Sequence, residues 1–238
     1  MDGRMDALAV IFGNFKLDNI KTETLKIQNL FKEYEFFCTL NQNIVGQPGI
    51  VVPMLEFVSN SKNINLRLSR ERIEIIKPFS VNDKGVKTDY DEVEFLECVK
   101  NIQKELLAHY KVNGNRISYV INSGKTKTEK INEVKGRVVS DYFYKSNESF
   151  EWGSRSAIKE LFIIKDNEEE INVITSLNYN SDRIKIAIGN SAIDIYGLMY
   201  NIDINTSPNN MQTRIDAKFI DEFYEQAKKL ADKIEETF

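Results

Sequence analysis

One histidine, one tryptophan, two cysteines and four prolines are spread over 238 residues, and each scarcity removes a class of chemistry. With His109 alone, no histidine pair can hold a metal. A zinc set would need Cys38, Cys98 and His109 to converge from distant segments without ligand-like spacing. Two cysteines far apart, each in apolar surroundings, make no disulfide scaffold; they read as reduced, buried thiols of a cytoplasmic protein. Long hydrophobic runs are missing too. The apolar stretch 7–12 is far too short to span a bilayer. It follows Asp2, Arg4 and Asp6 and lacks the basic leader of a signal peptide, so no membrane partner is expected. Asn147-Glu148-Ser149 fits a glycosylation triplet, which carries no meaning without a secretory signal.

What is present is an ordinary globular balance, 42% hydrophobic and 29% charged, enough to bury a substantial core as one domain or two small subdomains. The net charge of -4 gives no global attraction to nucleic acid or anionic membrane, while leaving room for a local basic patch.

Residues 171–205, INVITSLNYNSDRIKIAIGNSAIDIYGLMYNIDIN, alternate apolar and polar through three turns, as a half-buried antiparallel meander does. Ile184, Ile186 and Ile188 follow a turn at Asn180-Ser181-Asp182, and Ile193 and Ile195 follow Gly189-Asn190. The parity flips at Gly197, which reads as a β-bulge. Elsewhere, 7–15 predicts a buried strand and 22–34 a short helix capped by Thr22. Residues 35–40 are extended, 46–49 a turn, and 50–58 a strand that Pro53 places at an edge or bulge. Residues 63–76 form a hairpin turning at 69–71. A helix over 89–110 presents Phe95, Val99, Ile102, Leu106 and Tyr110, closed by Asn113-Gly114, and 116–122 is a strand. Residues 123–136 read as a surface loop or frayed helix, 138–144 as extended, 150–156 as a loop holding Trp152, and 157–164 as the start of a second sheet. After an acidic turn at 166–170 and the meander, the last helix starts near Asp216.

The fold class expected is α+β: antiparallel sheets in two similar halves, each followed by a long amphipathic helix packed on a sheet face. The halves span 1–124 and 155–238 around a basic and aromatic connecting region, 125–154, or all three form one compact domain.

Three segments carry a family resemblance: NLRLSRERIEIIKPF (65–79), LLAHYKVNGNRISYVIN (106–122), and YNIDINTSP (200–208) running into FIDEFYEQAKKLADKIEETF (219–238). In order and spacing they resemble a sporadically distributed, uncharacterised family of bacterial proteins of about this length. The resemblance implies no reaction, cofactor or catalytic residue; the family's patchy occurrence implies mobile or defence-linked genes.

Candidate chemistry is thin. Ser123-Gly124-Lys125-Thr126 ends like a phosphate loop, but the glycine needed five residues before Gly124 is Tyr119, in a strand, so nucleotide binding is rejected. His109, near a helix C-terminus, reads as a partner of the helix dipole rather than a general base. The basic candidates are Arg67, Arg70 and Arg72 around the hairpin, with Lys125, Lys127, Lys130, Lys135 and Arg137 downstream, near Tyr142, Phe143, Tyr144, Phe150 and Trp152. Charge beside rings suits single-stranded nucleic acid, although Glu71, Glu129 and Glu133 interrupt it. In the meander, Arg183, Lys185, Asp194, Asn201 and Asp203 fall on the face away from the isoleucines and, with Trp152, offer a surface for a partner or ligand. Asp194 and Asp203 could also serve as a strand-borne carboxylate pair.

The leading expectation is a non-catalytic binding protein with another protein as partner and no cofactor or metal. Nucleic-acid binding is the alternative, a carboxylate enzyme the third reading. The pattern sets no oligomeric state.

Overall fold

A computed structural model describes residues 3–17, 20–44, 51–79, 90–125, 128–138, 151–188 and 191–237. Among the described residues nine antiparallel strands make one sheet: β1 Gly3–Phe12, β2 Phe37–Ile44, β3 Val51–Ser59, β4 Ile64–Leu68, β5 Arg72–Lys77, β6 Arg116–Lys125, β7 Glu151–Ile164, β8 Asn167–Ile188 and β9 Ser191–Thr206. Their order is β2-β3-β4-β5-β1-β6-β9-β8-β7. Four α-helices are described: α1 Ile20–Leu30, α2 Glu92–Tyr110, α3 Thr128–Val138 and α4 Ala217–Glu235.

The α+β class and the antiparallel pairing agree with the sequence pattern. The separate second sheet does not. β1 pairs with β6 along almost its whole length, from Gly3 opposite Gly124 to Phe12 opposite Arg116, and this pairing removes the two edges that separate sheets would expose. The seam also explains the burial of β1. Ala7, Ala9 and Ile11 point into the core, while a bulge at Met5 shifts the register so that Arg4 falls opposite Ser123.

Burial parity assigns the faces. Ile117, Tyr119 and Ile121 of β6, Leu198, Tyr200, Ile202 and Ile204 of β9, and Ile64, Leu66 and Leu68 of β4 lie in one core cluster with the helical residues Ile27, Phe95, Ile102, Ile131, Phe219, Phe223 and Ala227. The described helices therefore share one face. The two long ones also bind each other: Tyr224 of α4 donates to Gln103 of α2 at 3.1 Å, both fully buried. Each long helix starts at an aspartate cap, Asp91 accepting from the Glu94 amide at 2.9 Å and Asp216 from the Phe219 amide at 3.0 Å.

Several local expectations are corrected. α1 begins at Ile20, so Thr22 lies inside it, and Leu25 is exposed. Pro53 is not on an edge strand, although β4 ends its pairing at Leu55 and leaves Pro53 opposite β2 alone. α2 closes at Lys111 in the left-handed conformation, φ 53°. Gly114 serves instead as a close approach, bridged to Ile215; a Cβ there would meet Ile11 Cγ1 at 2.7 Å. Residues 123–125 continue β6, and α3 follows where a loop or frayed helix was expected. Trp152 belongs to β7. The turn before the meander is the two-residue Lys165-Asp166, both at positive φ, in the primed geometry that suits hairpin twist. Asn180-Ser181-Asp182 is no turn; it is a register shift inside the single long strand β8, opposite Gly197 at φ 98°. The expected turn at 46–49 and extended segment at 138–144 lie outside the described residues, save Val138, the last residue of α3.

Candidate functional site

The described helices leave the opposite face of the sheet uncovered. Its central row is Val58, Asn65, Ile76, Leu8, Val120, Asp203, Ile174 and Ala157, each opposite the next across β3-β4-β5-β1-β6-β9-β8-β7. The neighbouring row runs Glu56, Arg67, Glu74, Val10, Ser118, Asn205, Asn172 and Lys159 by the same register.

Two side-chain ladders cross this face. In one, Asn201 donates to Asn122 at 2.9 Å and Asn122 donates to Asp6 at 2.6 Å. In the other, Ser118 and Asn205 each donate to Asp203 Oδ1 at 3.0 Å, and Asn172 and Arg116 both reach Asn205 Oδ1 at 3.3 Å. Burial pushes the Asp6 carboxyl above its ordinary value, against the hydrogen bond from Asn122. Asn205, only 2% exposed, is held by its neighbours, so the amides are fixed before any ligand arrives. Beyond the ladder, Arg116 stacks over Phe12 at 5.1 Å, beside a cavity of about 290 Å³ lined also by Glu71, Pro208 and Met211.

The sequence candidates divide on this frame. Arg67 and Arg72 reach the helix-free face, but Arg67 meets Glu56 and Arg72 meets Glu74, each at 2.7 Å. Arg70 sits in the hairpin turn. Arg137 lies 3.7 Å from Glu133 on α3. That helix seats Ile131 and Val134 in the helix-side core, across the sheet from the hairpin arginines, so among the described residues Lys135 and Arg137 form no common patch with Arg67 and Arg72. Lys135 shares α3; Lys127 and the side chains of Lys125 and Lys130 lie outside the described residues. By register the helix-free face carries Arg67, Arg72, Arg116, Arg155 and Lys159 against Asp6, Glu56, Glu74, Glu151, Glu168, Glu170 and Asp203. Among the described residues of this face acids outnumber bases, which opposes a phosphate backbone.

Asn201 and Asp203 lie on the helix-free face, as their parity implies. Trp152 does not: it is buried on the helix side and stacked on Tyr179 at 5.4 Å, so it cannot touch a partner there. The side chains of Arg183, Lys185 and Asp194 lie outside the described residues; their backbones place Lys185 opposite Asp194 in β8–β9. Asp194 and Asp203 share β9 nine positions apart, roughly 30 Å at strand rise, so they form no paired-carboxylate site.

Ionisable groups converge instead on the helix side, around Arg4. Arg4 contacts Glu92, meets Asp232 at 2.5 Å and Glu235 at 3.1 Å. Lys228 reaches Glu92 at 3.3 Å and Asp232 at 2.7 Å; Tyr119 donates to Glu92 at 2.7 Å and Ser123 to Glu235 at 2.9 Å. Burial leads the shift of Tyr200, pushed up to about 12, and it drives Tyr119 upward with the charges of Tyr90 and Glu92. Every carboxylate of this knot receives donors from inside the protein. The groove of about 280 Å³ between α2 and α4 shares only Lys228 with it. The knot therefore ties β1 to α2 and α4. Sequence reasoning missed it because its members come from both ends of the chain.

His109 lies 3.9 Å from Glu23, which also accepts from Tyr110 at 3.0 Å, and so has a carboxylate beside it as well as the helix end. Cys98 is buried and Cys38 half-buried, both free. Among the described residues no cluster of three His, Cys, Asp or Glu could hold a metal ion, and no helix is long and apolar enough to cross a membrane. No protein-family model and no curated protein sequence matches the chain.

Proposed function

We propose that this chain is a non-catalytic binding protein of the cytoplasm that docks another protein on the helix-free face of its sheet. The supporting observation is the make-up of that face. Half-buried aliphatics (Leu8, Ile76, Val120, Ile174) surround amides already locked to one another, and Arg67 and Arg72 are neutralised by glutamates on the same face. Apolar centre, satisfied polar groups and little unpaired charge characterise protein interfaces. The resemblance to a patchily distributed bacterial family supports a link between this protein and mobile or defence genes. In this reading the chain is a structural repeat whose boundary lies before β6 rather than at 124: β1 and β6 lie side by side, each is followed by a short helix and a meander whose last strand (β5 or β9) returns beside it, a long helix closes each unit, and the first unit holds one strand more. Failure of β1, β5 and α2 to superpose on β6, β9 and α4 in a crystal structure would remove the repeat.

The binding proposal is tested by affinity capture with the wild type, with Ile174→Lys and Val58→Lys on the helix-free face, and with Leu25→Lys on exposed α1 as control. A partner lost with both face variants and kept by the control supports it; a partner kept by all three refutes it. A gel shift that weakens steeply with salt would transfer the face to nucleic acid. Turnover in a hydrolase and nucleotide screen, abolished by one cavity substitution, would make the protein an enzyme.

A further inference from the structure

β7 forms one edge of the sheet and is bare between its ends. From Gly153 to Leu161 its side chains are exposed on both faces, Ser154 alone being half-buried, and Ile158 and Leu161 stay 54% and 60% exposed. The type I′ hairpin fixes which backbone groups are free. Ile164 and Asn167 flank the two-residue turn as a hydrogen-bonded pair, so even-numbered residues of β7 bond to β8 and odd-numbered ones aim outward. Ile163 confirms the parity: Gln226 of α4 receives its N–H at 3.2 Å and donates to its C=O at 2.8 Å. That amide closes the edge at the hairpin end. Among the described residues nothing closes it at Arg155, Ala157, Lys159 and Leu161.

We propose that β7 pairs antiparallel with β7 of a second copy, with Ile158 on the two-fold axis. The occupant follows from matching the row of donors and acceptors to itself, and the register follows from charge. Placing Ala157 on the axis would set Arg155 against Lys159 of the other copy. Placing Arg155, Lys159 or Glu160 there would oppose each to itself, and like charges directly across a strand pair are unfavourable. An axis at Ser156 avoids these clashes but sets Ile158 against Ser154 and Glu160 against Trp152. With Ile158 on the axis the two isoleucines meet as a close, non-hydrogen-bonded pair, Leu161 lies along the stem of Arg155, and Lys159 faces Ala157. Residues 155–161 then exchange about eight backbone hydrogen bonds, and Gln226 stays where it is. This interface uses the sheet edge, leaves the helix-free face open, and stands independently of the docking proposal above.

The test uses the full-length chain in a Cys38→Ser background, Cys98 being buried. Sedimentation across a hundredfold concentration range should show a monomer–dimer equilibrium. Ala157→Pro, which removes only an outward N–H of an edge strand, and Ile158→Asp should each weaken it at least tenfold while circular dichroism stays unchanged. Under mild oxidation Ile158→Cys should form a disulfide-linked dimer and Ser156→Cys should not, since only the axial pair brings identical residues within disulfide reach. A monomer at every concentration would overturn the proposal. So would cross-linking through position 156 rather than 158, or dimers indifferent to Ala157→Pro.

Discussion

Replacing Arg4 by methionine tests whether the buried charge knot holds the two ends of the chain together. The arginine side chain is 11% exposed and its partner Glu92 9%. Methionine would fill much of the arginine stem's volume but leave Glu92 and Asp232 sharing Lys228, and Glu235 with the Ser123 hydroxyl. Removing one partner of a buried ion pair costs about 3–5 kcal/mol, because the remaining charge stays desolvated. Asp232, 44% exposed, falls outside that range: Asp232→Asn should cost under about 1 kcal/mol after solvent screening. Set against a total stability of about 5–15 kcal/mol, the Arg4→Met loss is large, and for a chain of this size it lowers Tm by about 10 °C. Arg4→Lys should fall between, since one ammonium cannot hold three carboxylates with the guanidinium's fork. Urea unfolding at neutral pH measures all three. A loss below about 1 kcal/mol for Arg4→Met would show that the knot is solvated in solution and would refute the reasoning.

Acid should weaken the Asp216 cap, whose carboxyl burial pushes up but Lys165 and the Phe219 amide hold below its ordinary 3.8. A depressed carboxylate contributes stability above its unfolded value and loses it as pH falls through the folded one. Asp216→Ala should therefore cost about 1–2 kcal/mol at pH 7, and urea titrations should show the gap closing in acid. Asp6 carries the opposite sign: its raised value penalises the ionised native state, so Asp6→Asn should raise Tm at pH 7 and lose that advantage in acid. Gly114→Ala should cost about 1–3 kcal/mol by overpacking, since its Cβ would press on Ile11 and lie 3.0 Å from the Phe12 carbonyl; unfolding by urea would register it.

Local pattern carried the hairpin of β4 and β5 and the two long helices into the sequence, because each is written in residues a few positions apart. Ile64, Leu66, Leu68 and Ile73, Ile75 alternate across Ser69, whose hydroxyl accepts from the Glu71 and Arg72 amides. What the sequence could not show was the seam. Pairing of β1 with β6 joins segments more than a hundred residues apart, and alternation along a strand does not say which strand lies beside it. β7 escaped for a different physical reason. An edge strand bare on both faces has no core to impose alternation, so its Gly153–Ser156 stretch reads as a loop until Ile158 and Leu161 appear. In α3 only Ile131 and Val134 are described as buried, too few to write a helical stripe among the lysines.

The candidate surface was half legible for the same reason. Parity alone places Asn201 and Asp203 together on the helix-free face, whereas Asn122, Asn172 and Asn205 join them only through the strand register. Their meaning depends on neighbours: Asn122 is satisfied by Asp6 and Asn201, from strands on either side of it. Charge behaves likewise. Along the chain Arg67, Arg70 and Arg72 look like a basic hairpin, whereas across the sheet Glu56 lies directly opposite Arg67 and Glu74 stands two residues beyond Arg72 on the same face. An electrostatic attraction to phosphate needs uncompensated cations, and pairing removes the compensation-free arginines on which a nucleic-acid reading would rest. Reversing one pairing isolates the argument: Glu56→Gln and Glu74→Gln together free both arginines without touching the ladder. If the double variant gains salt-sensitive binding to single-stranded DNA that the wild type lacks, neutralisation by glutamate is what keeps phosphate off this face. Binding of equal strength by the wild type would show that the pairs do not screen the arginines.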